Sequence, residues 1–121
     1  FKQYAINGAE EADNKSLETD NSGILIQSVA QNPGAIGYVA LPYLLNNDTV
    51  DSVSIDGVAP TLENTYNGTY SVWGDEHIYT SKEPKAAVKA FIEYITGADY
   101  GKRIEELGYG VSSKMQTKEV H

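Results

Sequence analysis

Apolar side chains recur at helical spacing near both ends of the chain, with shorter apolar runs and turn residues between. Phe1 and Ala5 share one face until Asn7 and Gly8 break the pattern, which predicts the end of a helix. Residues 8–21 are polar and acidic, with Leu17 as the sole large aliphatic, and read as an exposed loop. Asp20, Asn21 or Ser22 then offers a side-chain oxygen to cap a helix carrying Ile24, Leu25, Ser28 and Val29. Asn32, Pro33 and Gly34 end it, because Pro drives the residue before it out of helical geometry and Gly supplies the turn.

Residues 35–40 are rich in strand formers and predict a buried strand, with Gly37 marking a close approach or a bulge. Residues 42–45 fit one short helical turn. Residues 51–55 alternate, with Val53 and Ile55 inward, and Asp56-Gly57 turns the chain. Thr61 caps a short helix through Tyr66, closed by Asn67-Gly68. Residues 71–80 read as a long extended segment interrupted at Gly74.

The clearest helix lies in the last third. Pro84 suits a first helical position, and Ala87, Val88, Phe91, Ile92 and Ile95 form one apolar stripe opposite Lys85, Lys89 and Glu93. Gly97 ends it. A second helix sets Tyr100, Ile104 and Leu107 on one side and stops at Gly108. Residues 112–121 are polar and predict a frayed tail. Helices alternating with extended segments predict an α/β fold, with helices packed on a sheet.

Composition narrows the chemistry. The 121 residues hold 9 Lys and Arg against 17 Asp and Glu, a net charge of −8. That acidity disfavours nonspecific nucleic-acid binding and docking on anionic lipid, both of which need a basic face. The absence of Cys excludes disulfides, thiolate zinc sites and thiol catalysis. The longest apolar run, residues 35–45, is too short to span a bilayer and is broken by Gly37 and Pro42. Phe1 stands where a Met would open a translated chain, so a preceding segment is expected.

Candidate chemistry is sparse. Asp75, Glu76 and His77 form the one acid–base cluster. In an extended segment Asp75 and His77 share a face, which suits a general base or half of a metal site; the other His is His121. The competing reading is a solvated bend with a hydrogen-bonded His. Nine Tyr and Trp73 offer material for a sugar or peptide platform, but they are scattered, and core or rim positions fit them better. Asn14, Asn47 and Asn67 open Asn-x-Ser/Thr triplets, which chance explains in a chain rich in Asn and Thr. A Gly-rich phosphate loop and a Gly-x-Ser-x-Gly elbow are both absent from the sequence.

Several segments in order carry a resemblance. The run Asn32-Pro33-Gly34-Ala35-Ile36-Gly37-Tyr38-Val39 resembles a strand start in phosphate-binding proteins of ABC transporters, the PstS family. Residues 55–61, then Asn64 to Gly68 with Tyr70 and Trp73, are similar to that family's turn, short helix and Gly-x-Tyr-x-x-Trp run. Residues 90–95 with Gly108 and Tyr109 resemble the closing helices of extracytoplasmic solute-binding proteins in general, and residues 77–80 look most like Gram-positive members. Ser71 stands where the family often has Pro, and Gly108-Tyr109-Gly110-Val111 where it often has Gly-Tyr-Ile-Pro.

The resemblance implies a periplasmic-binding-protein-like lobe, part of a two-lobed clamp, with a mixed sheet flanked by helices. Residues 1–69 would be the later part of the second lobe and residues 70–80 a return crossing. Residues 81–111 would be helices that pack on the first lobe, and residues 112–121 a tail. Trp73, Gly74, Asp75 and His77 are then hinge or cleft candidates. The implied function is binding, not catalysis, without a cofactor: a cell-surface lipoprotein delivering inorganic phosphate to ABC permease subunits.

In such proteins backbone N–H groups, hydroxyls, an Arg and an Asp ring the dehydrated anion, so an acidic surface is no obstacle. The family's second-lobe ligands lie in a Ser-Gly-Thr-Arg loop that is expected upstream of Phe1, which leaves no ligand of the anion in this chain. Unpartnered apolar faces would favour self-association. Two alternatives stand beside this reading: a binding protein for another oxyanion or small solute, and a metal-assisted hydrolase using Asp75 and His77.

Overall fold

The computed structural model describes residues 6–10 and 18–118. Phe1, Ala5, Leu17, Asn14 and His121, and the helix expected to end at Ile6, lie outside the described residues. The described elements are four α-helices and two single turns of 3-10 helix. Helix α1 spans Ser22–Gln31, α2 Leu62–Tyr66, α3 Ala86–Ile95 and α4 Ala98–Glu106; the 3-10 turns are Leu41–Tyr43 and Ser112–Lys114.

Helix limits follow local chemistry. The Asn21 side chain accepts the Ile24 N–H at 3.0 Å and opens α1. At the other end Ala35 N–H donates to Asn32 O at 2.9 Å, with Gly34 at φ +87°. Thr61 Oγ1 accepts the Asn64 N–H at 3.1 Å and opens α2. Gly108, at φ +90°, turns the chain away from α4. Pro84 does not open α3: the helix starts at Ala86 with Lys85 at the cap, so Pro84 lies one residue outside.

The sheet is where the structure departs from expectation. Among the described residues there is no β-strand, so the expected mixed sheet is not seen among them. Among the described residues the one β-type pairing is an isolated antiparallel bridge, Ile55 with Val58, across a turn in which Asp56 (φ 52°) and Gly57 (φ 78°) are both left-handed. That geometry is the tight hairpin turn the Asp-Gly pair favours. Residues 35–40 and 71–80 make no ladder. Their sequences suit strands, but a strand is stable only beside another that accepts its hydrogen bonds. Gly37 does mark a close approach, to helix rather than to sheet: a Cβ there would lie 2.8 Å from Leu25 Cδ2 and 3.2 Å from Val29 Cγ2.

Little apolar surface is sequestered. Ile26 of α1 is the one buried hydrophobic side chain among the described residues. The accessible surface is 9725 Å² for 13.2 kDa, whereas a compact monomer of that mass exposes about 6,400 Å². The stripe on α3 is half covered. Phe91 and Tyr94 are more than 60% exposed, while Ile92 and Ile95 are half-buried. Tyr94 meets Tyr100 of α4 at 5.2 Å between ring centroids in a tilted pair, which joins the two helices.

Candidate functional site

The residues with acid–base character lie apart from the packed part of the molecule. Asp75, Glu76 and His77 are exposed, as is Gly74; Trp73 is half-buried. The His77 ring lies 6.2 Å from that of Tyr79, which is itself exposed. Among the described residues no group of three or more His, Cys, Asp or Glu is placed to hold a metal ion. Asp75 and His77 therefore have no third ligand there, and nothing in the structure supports the hydrolase alternative.

Two of the three Asn-x-Ser/Thr triplets have a structural explanation. Asn47 Oδ1 accepts the Thr49 N–H at 2.9 Å and the Thr49 hydroxyl at 2.6 Å. Asn67 Oδ1 accepts the same pair from Thr69 at 2.9 and 2.7 Å. Each triplet is a side-chain turn in which Asn mimics a backbone carbonyl two residues ahead of its donor.

The most connected polar group is one the sequence did not suggest. Tyr66, at the end of α2, donates its hydroxyl to Glu105 Oε1 of α4 at 2.7 Å. The Tyr66 hydroxyl oxygen in turn accepts the Val111 N–H at 2.9 Å. Lys114 Nζ donates to both Glu105 oxygens, at 2.7 and 2.8 Å, and lies 5.9 Å from the Tyr66 ring centroid. The Tyr66 carbonyl accepts the Gln116 N–H at 2.9 Å. Burial and the Glu105 hydrogen bond raise the Tyr66 hydroxyl above its ordinary pKa. Lys114, then Tyr66, hold the Glu105 carboxyl below the usual carboxylate range. Burial alone raises Tyr70.

Residues 112–118 are thus no frayed tail: they hold a 3-10 turn tied by Lys114 and Gln116 to α4 and α2. The two places where residues 108–111 depart from the resembled pattern both take part. Val111 supplies an N–H that Pro would lack. Gly110 leaves room for the Tyr66 ring, since a Cβ there would already stand 3.4 Å from Cε1.

Residues 3–99 match the family described as a PBP superfamily domain. The chain belongs to that superfamily. As a PBP superfamily member it is 39% identical over 104 residues to the phosphate-binding protein PstS of Bacillus subtilis, covering 86% of this chain and 34% of that protein. It is 33% identical over 92 residues to phosphate-binding protein PstS 2 of Streptococcus agalactiae serotype V, covering 75% of this chain and 31% of that protein. The serotype III protein matches to the same extent. The chain spans about a third of the length of these relatives. No solved structure matches. The superfamily supports the binding-protein-like fold, while the mixed sheet has no counterpart among the described elements.

Proposed function

We propose that this chain is the framework third of an extracytoplasmic phosphate-binding protein that delivers inorganic phosphate to an ABC permease, acting by binding and not by catalysis. The observation that carries this reading is 39% identity over 86% of the chain to a protein named for phosphate binding. Coverage of only 34% of that relative leaves room for the anion's ligands in the two thirds this chain does not span. The surface excess fits the same picture: residues 35–40 and 71–80 would pair into a mixed sheet once neighbouring strands are supplied.

In that larger fold residues 1–69 would extend the second lobe, residues 70–80 would cross between lobes, and residues 81–111 would pack on the first lobe. Trp73, Gly74, Asp75 and His77 would then lie at the hinge or cleft edge. The exposed face of Phe91 and Tyr94 supplies the apolar contact that such packing needs. In the chain alone that face favours weak self-association, which light scattering against concentration would reveal. Membrane anchoring would come from a lipid, as expected of a Gram-positive lipoprotein; among the described residues no helix is long and apolar enough to cross a membrane.

A chimera tests the reading. The matching third of the Bacillus subtilis relative is replaced by this chain, and phosphate and sulfate are titrated by calorimetry. The expected result is phosphate binding that sulfate does not displace, with no comparable heat from this chain alone. A folded chimera that ignores phosphate, or prefers another oxyanion, would falsify the proposal.

A further inference from the structure

The polar group around Tyr66 joins three separate stretches of chain. Tyr66 stands on α2, Glu105 on α4, and Val111, Lys114 and Gln116 on the segment that leaves α4. Glycines let the same stretches approach closely. A Cβ on Gly101 of α4 would touch the Val111 side chain at 3.4 Å. Gly108 packs on the first 3-10 turn, where a Cβ would stand 2.6 Å from Leu45 Cδ1 and 3.1 Å from Pro42 Cα. The Gly68 site, at φ +79°, faces the Thr117 side chain. At Gly108 the approach is to backbone and leaves no space for a side chain, whereas at Gly101 the contact is an ordinary van der Waals one.

We propose that Tyr66, Glu105 and Lys114 form a clasp that closes residues 110–117 across α2 and α4, so that these three move as one block. The clasp works from both sides of Tyr66. Its hydroxyl accepts one amide N–H and donates a hydrogen bond to Glu105, while its carbonyl accepts a second amide N–H. Lys114 pairs with Glu105 and favours its ionised form, which keeps that carboxylate an acceptor for the Tyr66 hydroxyl. Charged neighbours do not compete: Arg103 pairs with Glu106 at 2.8 Å on an exposed part of α4.

One consequence rests on the two-lobed reading above. Helix α2 would travel with the closing helices when the clamp shuts, and the boundary of the second lobe would fall before Leu62 rather than after Thr69. Val111 and Gly110 give this chain a clasp that a Pro and an Ile at those positions would disfavour, through a lost donor and a filled space.

Amide hydrogen exchange on the chain, resolved by NMR, tests the clasp without any ligand, so it is judged separately from the phosphate titration of the chimera. In Tyr66→Phe the Val111 amide loses its acceptor and should exchange about tenfold faster, the ratio expected from one ordinary hydrogen bond. The Gln116 amide, whose carbonyl partner is untouched, should accelerate as well, while amides of Ala86–Ile95 stay as they were. Lys114→Met, which spares the Tyr66 hydroxyl, should speed Val111 and Gln116 together, and it decides the matter if Tyr66→Phe fails to fold. Acceleration of Val111 alone in the first variant, or no change in either amide in the second, would overturn the clasp.

Discussion

Helix α3 and the clasped block differ in how far their sequences speak for them. Helix α3 has the clearest apolar stripe in the chain, yet Phe91 and Tyr94 remain largely in water. The clasped block is weakly apolar: α4 reads Ala-Asp-Tyr-Gly-Lys-Arg-Ile-Glu-Glu, and its fixed contacts are hydrogen bonds and an ion pair. A stripe records what a helix is made to cover, not what it covers here. The polar block records the reverse, for its partners are present and its bonds are made.

The sharpest way to break this contrast is Gly108→Val. The position has φ +90°, and a branched side chain would run into Leu45 and Pro42. Urea unfolding should show a loss of about 2–3 kcal/mol. Near-wild-type stability would mean that the block is not packed as described. Tyr66→Phe comes next. It removes two hydrogen bonds while keeping the ring, and should cost about 1–2 kcal/mol by the same measurement.

Acidification acts on the same tie with a smaller effect, because the Lys114–Glu105 pair is partly exposed. The folded-state pKa of Glu105 lies below its unfolded value. Its contribution is therefore complete above the unfolded pKa, near 4.3 in a model peptide, and fades as pH falls through the lower folded pKa. Glu105→Gln should flatten that part of the stability–pH curve; an unaltered curve would place the acid dependence elsewhere. The smallest effect in this chain is expected from Phe91→Ser, within about 0.5 kcal/mol, since the ring is 61% exposed. The same change in the chimera should impair folding markedly. Equal, small effects in both settings would remove the argument that α3 awaits a partner.

What the sequence made legible was local. Asn21 and Thr61 as caps, Asp56-Gly57 as a turn and Gly108 as a helix stop all act within a few residues of themselves. Residues 35–40 and 71–80 form no strand here: propensity names a segment fit for a ladder and says nothing about whether the other rail is at hand. The clasp left no trace in the pattern for a related reason. Tyr66 and Glu105 are 39 positions apart, Tyr66 and Val111 are 45, and neither pair follows any periodicity. Residues 108–111 held one faint signal, the Gly and Val where the resembled pattern carries Ile and Pro. Its effect is a bond to another helix, which no local pattern expresses.

The lone buried Ile26 and the 9725 Å² left in water have a thermal counterpart. Melting raises the heat capacity in proportion to the oily area newly wetted, and here much of that area is wet from the outset. A scanning calorimeter should record a shallow, broad transition with a small step in baseline. Cooperativity would be something this polypeptide borrows from its surroundings.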